Sequence, residues 1–204
     1  MNLFQLALEG AEPTGTANKE IEHVYYANIT DLSFLEGVAV EHQEQWAIVI
    51  PKTEDNKCKG NIRVRATHDG ASESDWNYIF TTKTFDLGAV GKTEVELTTT
   101  KDHFEQFKLL AEKGMRKDRY VIPIEGTDLK WEIDFFLTQD SKFGERKYHP
   151  WVKIDIEVTS ANTVIPEFPF PTNRIITEPF GKRTEEDERL VTSLYDDEFV
   201  TRNK

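Results

Sequence analysis

Charged residues recur in pairs two positions apart along this chain, and the residue between them is usually apolar. In a β-strand, side chains two positions apart point to the same face of the sheet. Each pair is therefore directed to one face and the intervening residue to the other. The pairs are Glu20/Glu22, Arg63/Arg65, Glu94/Glu96, Lys117/Arg119, Glu132/Asp134 and Asp155/Glu157, and Thr81/Lys83 has the same spacing. One pair is typical of a half-exposed strand, but this series indicates a closed sheet with a charged inside and an apolar outside.

A charged interior of this kind has to be neutralised. Two like charges a few ångströms apart repel by roughly 4 kcal/mol at an effective dielectric constant near 20. The pairs contain eight acids, and their bases number six when Lys153 is included. One divalent cation would neutralise the excess of two negative charges. Massed carboxylates coordinate metals, share protons or pair with cations, and clustered Arg and Lys bind phosphate. The pattern predicts a site for a metal ion and a polyphosphate.

The order and spelling of these motifs resemble the CYTH proteins, also called triphosphate tunnel metalloenzymes. That family runs through E-x-E-x-K, R-x-R, T-x-K, E-x-E, K-x-R, E-x-D and a final E-x-E, and the matching elements here span about residues 18–160. Each motif alone is weak, whereas the series is specific. Two positions depart from the family pattern: Val24 stands where the family has lysine, and Asp155 stands where the last motif begins with glutamate.

The resemblance implies an α+β fold, a closed antiparallel eight-stranded β-barrel with a charged interior, or triphosphate tunnel, and helices packed outside. We expect one domain over residues 1–204. Within it, residues 1–17 are an N-terminal extension, residues 18–160 form the motif-bearing barrel, and residues 161–204 form a C-terminal connection and helix.

The resemblance also implies the roles of the paired residues. The cofactor is expected to be Mg²⁺ or Mn²⁺, because hard cations prefer carboxylate oxygens. The metal ligands are Glu20, Glu22, Asp155 and Glu157. The substrate-binding residues, which neutralise phosphate oxygens, are Arg63, Arg65, Lys83, Lys117, Arg119 and Lys153. The catalytic residues are Glu20, Glu22, Glu96, Glu132 and Asp134, and together with Glu94 the last three would position a second ion or the attacking water.

We expect metal-dependent hydrolysis of a triphosphate substrate, which could be inorganic tripolyphosphate, a nucleoside triphosphate or thiamine triphosphate. A class IV adenylyl cyclase is a second possibility, although it requires a nucleobase pocket that the sequence does not locate. The third is a protein that binds a nucleotide or polyphosphate with little or no turnover. Val24 favours the third possibility, because valine neither carries charge nor donates a hydrogen bond.

Composition limits the partners and the compartment. The net charge of −12 argues against general nucleic-acid binding and leaves a small polyanion as the expected ligand. Cys58 is the single cysteine, so no intrachain disulfide forms and a reducing, cytoplasmic location is expected. No signal peptide or membrane-spanning segment is predicted.

Two helices and two less regular stretches are predicted. The apolar spacing predicts a helix from Thr100 to Met115, closed by Gly114. Residues 30–42 have a weakly helical pattern, residues 166–181 are a proline-rich connection, and residues 183–199 form a terminal amphipathic helix.

Overall fold

The computed structural model describes residues 18–49, 60–70, 75–85, 92–111, 113–138, 140–141, 145–158, 160, 162–178 and 184–186. These residues divide into two compact units, so the prediction of a single domain over residues 1–204 stays a prediction. Among the described residues, unit 1 comprises residues 18–20 and those between 43 and 114. Unit 2 comprises residues 21–42 and those from 115 onward.

Nine strands and one helix bear on the site. The strands are β1 (Asn18–Ile29), β2 (Val40–Val49), β3 (Gly60–His68), β4 (Asn77–Phe85), β5 (Lys92–Thr98), β6 (Lys113–Pro123), β7 (Lys130–Leu137), β8 (Tyr148–Val158) and β9 (Thr172–Glu178), and the helix is α1 (Lys101–Leu110). In unit 1 the strand order is β5-β4-β3-β2, and the first three residues of β1 pair antiparallel with β5. In unit 2 the order is β6-β7-β8-β1-β9.

The core of unit 1 lies between the sheet and α1. Val64 and Ala66 of β3 are buried against Phe104 and Phe107 of α1. Thr100 is the N-cap of α1, and its hydroxyl accepts a hydrogen bond from the His103 backbone N–H at 3.3 Å. This cap satisfies one of the free donors at the helix start. The helix therefore covers the apolar face of the sheet, as the sequence predicts.

The predicted end of this helix is wrong. Helix α1 stops at Leu110 with Ala111 as its C-cap, and Gly114 belongs to β6. Gly114 is required there by packing: a Cβ on this residue would lie 2.5 Å from Cε3 of Trp46. The indole is buried, and its Nε1 donates to Glu44 Oε1 at 2.7 Å, so the ring is held in place against the glycine.

Gly114→Ala is expected to destabilise the protein by about 1–3 kcal/mol, because the added methyl group forces the Trp46 ring or the backbone to move. Denaturant unfolding of the variant measures the loss. Trp46→Leu in the same chain removes the clash, so the double variant should lose less than the sum of the two single variants. A cost equal to that sum would show that the ring does not constrain Gly114.

The core of unit 2 is formed by alternate residues of its strands. Ile133 and Phe135 of β7 and Ile154 and Ile156 of β8 are buried together. Phe170, from the segment before β9, packs on the same cluster. In β7 and β8 the residues between these apolar ones are charged, so one face of the sheet is apolar and the other is charged. The division into two faces predicted from the charged pairs is therefore present in this unit.

The prediction of a closed, eight-stranded barrel is wrong. The sheet is mainly antiparallel, but the described residues form nine strands, and neither unit's sheet closes into a barrel. The additional strand is β9, which lies inside the predicted proline-rich connection and pairs antiparallel with β1. Proline is tolerated at the ends of an edge strand, where no ladder hydrogen bond is lost, and Pro171 immediately precedes β9.

The structure tests the prediction for residues 30–42 but describes little of the two chain termini. The weakly helical stretch at residues 30–42 contains only a 3₁₀ turn at Ser33–Leu35, where Asp31 Oδ1 accepts from the Ser33 N–H at 2.9 Å, and then enters β2. The N-terminal extension and most of the predicted terminal helix lie outside the described residues. Within the described ranges, no helix combines the length and the apolar character needed to cross a membrane.

Candidate functional site

The charged pairs of unit 1 lie on one face of its sheet. Arg63 is the cross-strand partner of Thr81, and Thr81 is the partner of Glu96. Lys83 of β4 is the partner of Glu94 of β5. Because side chains that are directly opposite share a face, these residues converge there, and Val64 between the two arginines lies in the apolar core. We call this group the Arg63 cluster; it consists of Arg63, Arg65, Thr81, Lys83, Glu94 and Glu96.

Ion pairs connect the Arg63 cluster. Arg63 Nη2 lies 2.8 Å from Glu94 Oε1, and Lys83 Nζ lies 2.8 Å from Glu94 Oε2. Arg65 Nη2 lies 3.1 Å from Glu96 Oε1, which also accepts a hydrogen bond from Thr81 Oγ1 at 3.2 Å. Three cations face two carboxylates, so the cluster has an excess of positive charge. Arg63 Nε is buried without a hydrogen-bond partner among the described residues, which leaves a donor for an anion.

Charged residues of unit 2 are aligned by the register of the three strands β6, β7 and β8. Asp134 of β7 lies opposite Arg119 on one side and Lys153 on the other. Glu132 lies opposite Asp155. We call this group the Asp134 cluster; it consists of Lys117, Arg119, Lys130, Glu132, Asp134, Lys153 and Asp155.

Asp134 is the centre of this cluster. It is fully buried and forms an ion pair with Lys117. Arg119 donates to both of its oxygens, with Nε at 2.7 Å from Oδ1 and Nη2 at 2.9 Å from Oδ2. Arg119 also pairs through Nη1 with Glu132 Oε2. This two-point arginine contact fixes the guanidinium plane. Asp134 therefore holds two cations at defined positions on the charged face.

These contacts set the protonation states of the cluster. Burial acts to raise the pKa of Asp134, but Arg119 and Lys117 outweigh it and hold the pKa well below its ordinary range. For Glu132 too, burial is outweighed by Arg119 and Lys130, and the pKa is lowered. Burial acts to lower the pKa of Arg119, yet the paired carboxylates raise it overall. Both acids are therefore ionised at neutral pH, and the arginine carries its charge despite being buried.

Lys130 belongs to the site but was missed by the sequence analysis. Its Nζ lies 2.7 Å from Glu132 Oε1, and this hydrogen bond raises the pKa of Lys130. The signal was present in the sequence, because Lys130, Glu132 and Asp134 continue the same two-residue spacing in KWEID. The predicted motif was the pair of like charges Glu132/Asp134, so the lysine two residues before it was not included.

The expected metal ligands are brought together only in part. Glu22 of β1 is directly opposite Glu157 of β8, and Val24 is opposite Asp155. Asp155 is buried and pairs with Lys153 through Oδ2, while its Oδ1 has no hydrogen-bond partner among the described residues. The side chain of Glu20 lies outside the described part of the structure. Among the described side chains, no three carboxylate, imidazole or thiol groups are gathered into a metal site.

This donor set fits a hard cation by its chemistry. Carboxylate oxygens are the protein ligands that Mg²⁺ and Mn²⁺ prefer, and Asp155 Oδ1 is a buried oxygen available for coordination. Like charges directly opposite on neighbouring strands repel each other, and the register places Glu22 opposite Glu157. A cation at this position would relieve that repulsion.

Val24 shares the charged face but is itself packed in an apolar group. Its side chain is buried with Tyr26 and Ile176, beside Trp151. Val24 is two residues from Glu22 in β1, so it points to the same face, and the register places it opposite Asp155. Lys153 is the cross-strand partner of Tyr26 and lies diagonal to Val24.

A second polar network surrounds Asp118, whose side chain points away from the charged face of β6. Asp118 is fully buried, and its Oδ1 lies 2.7 Å from His42 Nδ1 and accepts from Arg146 Nη1 at 2.5 Å. Its Oδ2 accepts from the Tyr148 hydroxyl at 2.5 Å. Burial and this hydrogen bond raise the pKa of Tyr148. This network joins β2, β6 and the start of β8, and it was not predicted from the sequence.

No family model and no curated protein matches this chain. The crystal structure of the inorganic triphosphatase NE1496 is 18% identical, covers 81% of this chain and 91% of that chain, and has a TM-score of 0.44. A second structure, described as the hypothetical protein NE1496, is 18% identical, covers 82% and 95%, and has a TM-score of 0.43. The identity and the TM-scores are too low for these structures to indicate what the site of this chain does. Membership of the CYTH family therefore stays a prediction.

Proposed function

We propose that this protein binds a triphosphate or polyphosphate at its charged sheet faces and hydrolyses it with the help of Mg²⁺ or Mn²⁺. The observation that carries the proposal is the Asp134 cluster, where buried lysine and arginine side chains share one face with buried carboxylates. Burying this many charges is costly unless they are paired or serve a ligand. Phosphoryl transfer needs mainly this kind of electrostatic positioning, with little covalent chemistry from the protein.

The basic residues would neutralise and orient the phosphate oxygens. Arg119 presents a planar guanidinium that suits two-point recognition of phosphate, and Asp134 fixes its orientation. The Arg63 cluster has an excess of positive charge and a buried arginine donor, which suit it to bind phosphate oxygens as well. We assign Asp134 a positioning role rather than the water-activating one, because both of its oxygens accept hydrogen bonds from Arg119.

The acidic residues would hold the metal ion and the water. Glu20, Glu22, Asp155 and Glu157 are the proposed ligands, and a bound ion would supply charge neutralisation between phosphate groups. Glu132 stays ionised because of its lowered pKa, and its Oε1, which pairs with the half-exposed Lys130, can accept a hydrogen bond from the attacking water when that lysine moves away. Glu96 has a side chain that is 41% exposed and can do the same within the Arg63 cluster.

Binding with slow turnover is a second candidate, and one observation favours it. Val24 is buried in an apolar group on the charged face, so no cation is contributed from this position of β1. Phosphate release from tripolyphosphate, ATP and thiamine triphosphate, with Mg²⁺ or Mn²⁺, separates the two candidates when calorimetry measures binding in parallel. Release at a catalytic rate supports hydrolysis, and tight binding without release supports the second candidate. If the protein neither binds these compounds nor releases phosphate from them, both candidate functions are refuted.

Two variants should separate metal binding from phosphate binding. Glu22→Gln is expected to weaken Mn²⁺ binding and to raise the melting temperature in metal-free buffer, because it removes the repulsion from Glu157. Arg65→Ala is expected to weaken tripolyphosphate binding about tenfold or more. Its affinity for Mn²⁺ should be nearly the same as that of the unmodified protein, or lower. Calorimetry and thermal melting measure these effects.

Glu36→Gln is the control for the metal-binding variant, because Glu36 is an exposed acid of unit 2 away from the strands. It should alter neither Mn²⁺ affinity nor the melting temperature. If Glu22→Gln bound Mn²⁺ as well as the unmodified protein does, the assignment of the ion to these carboxylates would be wrong.

A further inference from the structure

The four cations of the Asp134 cluster differ in exposure. Lys117, Arg119 and Lys153 have side chains that are 8%, 15% and 19% exposed, and each is paired with a buried aspartate. The side chain of Lys130 is 49% exposed, and its partner is Glu132. Lys130 is therefore the cation of this cluster that solvent, and a ligand arriving from solvent, can reach most readily.

Lys130 can exchange its partner without leaving the buried carboxylate of Glu132 unpaired. Glu132 holds Lys130 through Oε1 and Arg119 through Oε2. If Lys130 turns away, Glu132 keeps Arg119 as its partner. A half-exposed lysine–carboxylate pair is weak because water and salt screen it. A phosphate group offers several charged oxygens, and ammonium groups form strong charge-assisted hydrogen bonds with them.

We propose that Lys130 leaves Glu132 to bind the outermost phosphate of a bound polyphosphate, and that it thereby selects ligands with more than one phosphate. This inference rests on the proposed function. A single phosphate ion can be bound by the buried cations alone, whereas a longer ligand extends to the exposed end of the cluster, where Lys130 lies. Lys130 is thus a specificity-determining residue, and the same exchange frees Glu132 Oε1 to accept a hydrogen bond.

Lys130→Met tests the proposal, since methionine keeps the length of the side chain and removes the charge. We expect tripolyphosphate to bind about tenfold more weakly to this variant, which corresponds to about 1.4 kcal/mol. Orthophosphate binding should change less than about twofold. Lys130→Arg keeps a cation at the position and should bind tripolyphosphate nearly as well as the unmodified protein. Isothermal titration calorimetry with both anions, at one fixed salt concentration, gives these numbers.

Lys147 provides a matched control in the same unit. Its side chain is 48% exposed and its Nζ lies 2.8 Å from Asp140 Oδ2, so it resembles Lys130 in exposure and pairing but lies outside the cluster. Lys147→Met should leave both affinities unchanged, which excludes a general loss of positive charge as the cause.

The outcomes distinguish this inference from the proposed function. Equal tripolyphosphate binding by the unmodified protein and Lys130→Met would overturn the inference and leave the proposed function standing. Equal weakening of orthophosphate and tripolyphosphate in Lys130→Met would also overturn it, because selection by length would then be absent. A failure of the unmodified protein to bind tripolyphosphate, ATP and thiamine triphosphate alike would overturn both.

Discussion

Asp134→Asn is expected to lower the free energy of unfolding by about 3–5 kcal/mol, the usual cost of removing one partner from a buried ion pair. Asp134 is fully buried and holds both Lys117 and Arg119, so the neutral amide leaves two cations with too few negative partners. Denaturant unfolding with an unchanged m-value would measure this loss. Asp140→Asn, which alters an exposed carboxylate paired with Lys147, should leave the stability close to that of the unmodified protein.

The effect of Asp134→Asn should depend on pH in a defined direction. The pKa of Asp134 is lower in the folded than in the unfolded chain, so its contribution to stability is present above the ordinary value of 3.8. As pH falls below that value, the unfolded chain takes up the proton first and the contribution is lost. The stability difference between the two proteins should therefore narrow below about pH 4. A difference that widened in acid would contradict the assignment of Asp134 as an ionised, paired carboxylate.

Val24→Lys is expected to raise the rate of phosphate release by about tenfold to a thousandfold, by analogy with the roughly 2–4 kcal/mol lost when one donor is removed from a transition-state site. Val24 lies opposite Asp155, whose Oδ1 has no hydrogen-bond partner among the described residues. A lysine at this position would place a positive charge on the same face as Glu22, where it could neutralise phosphate oxygens. Initial rates of phosphate release from tripolyphosphate at saturating Mg²⁺ measure the change.

Val24→Met is the control, because it has a similar length without the charge. It should leave the rate unchanged, since it keeps the apolar packing with Tyr26 and Ile176. Fast release by the unmodified protein, with no gain in Val24→Lys, would show that a cation at position 24 is dispensable.

The two-residue spacing of charges predicted the faces of the strands well. Arg63 and Arg65 share a face with Glu94 and Glu96, and Val64 between the arginines is buried in the core. This success has a physical basis, because strand alternation is a local property that any window of a few residues contains. The face of the sheet to which each of these side chains points could therefore be predicted from the sequence.

Features that depend on distant partners were not predicted. Strand β9 was interpreted as a connection because the prolines on both sides of it outweighed the short Ile175–Ile176 pattern. Its partner strand β1 lies about 145 residues away in sequence. The end of α1 was misplaced because Gly114 fits a helix terminus locally, whereas the Trp46 ring explains its presence. In the network around Asp118, the aspartate bonds to His42, which is 76 positions away in sequence, and no periodic pattern marks this contact.

Asp118 has a consequence for how this sequence can vary. Three side chains from two segments of the chain bond to its two oxygens: His42 from β2, and Arg146 and Tyr148 from the start of β8 and the residues just before it. Because they share one acceptor, the cost of changing any one of them depends on which of the others is present. A substitution of Asp118 itself removes all three interactions at once and leaves the donors facing each other. These four positions are therefore expected to evolve as a set, with changes at one accepted only after compensating changes at the others.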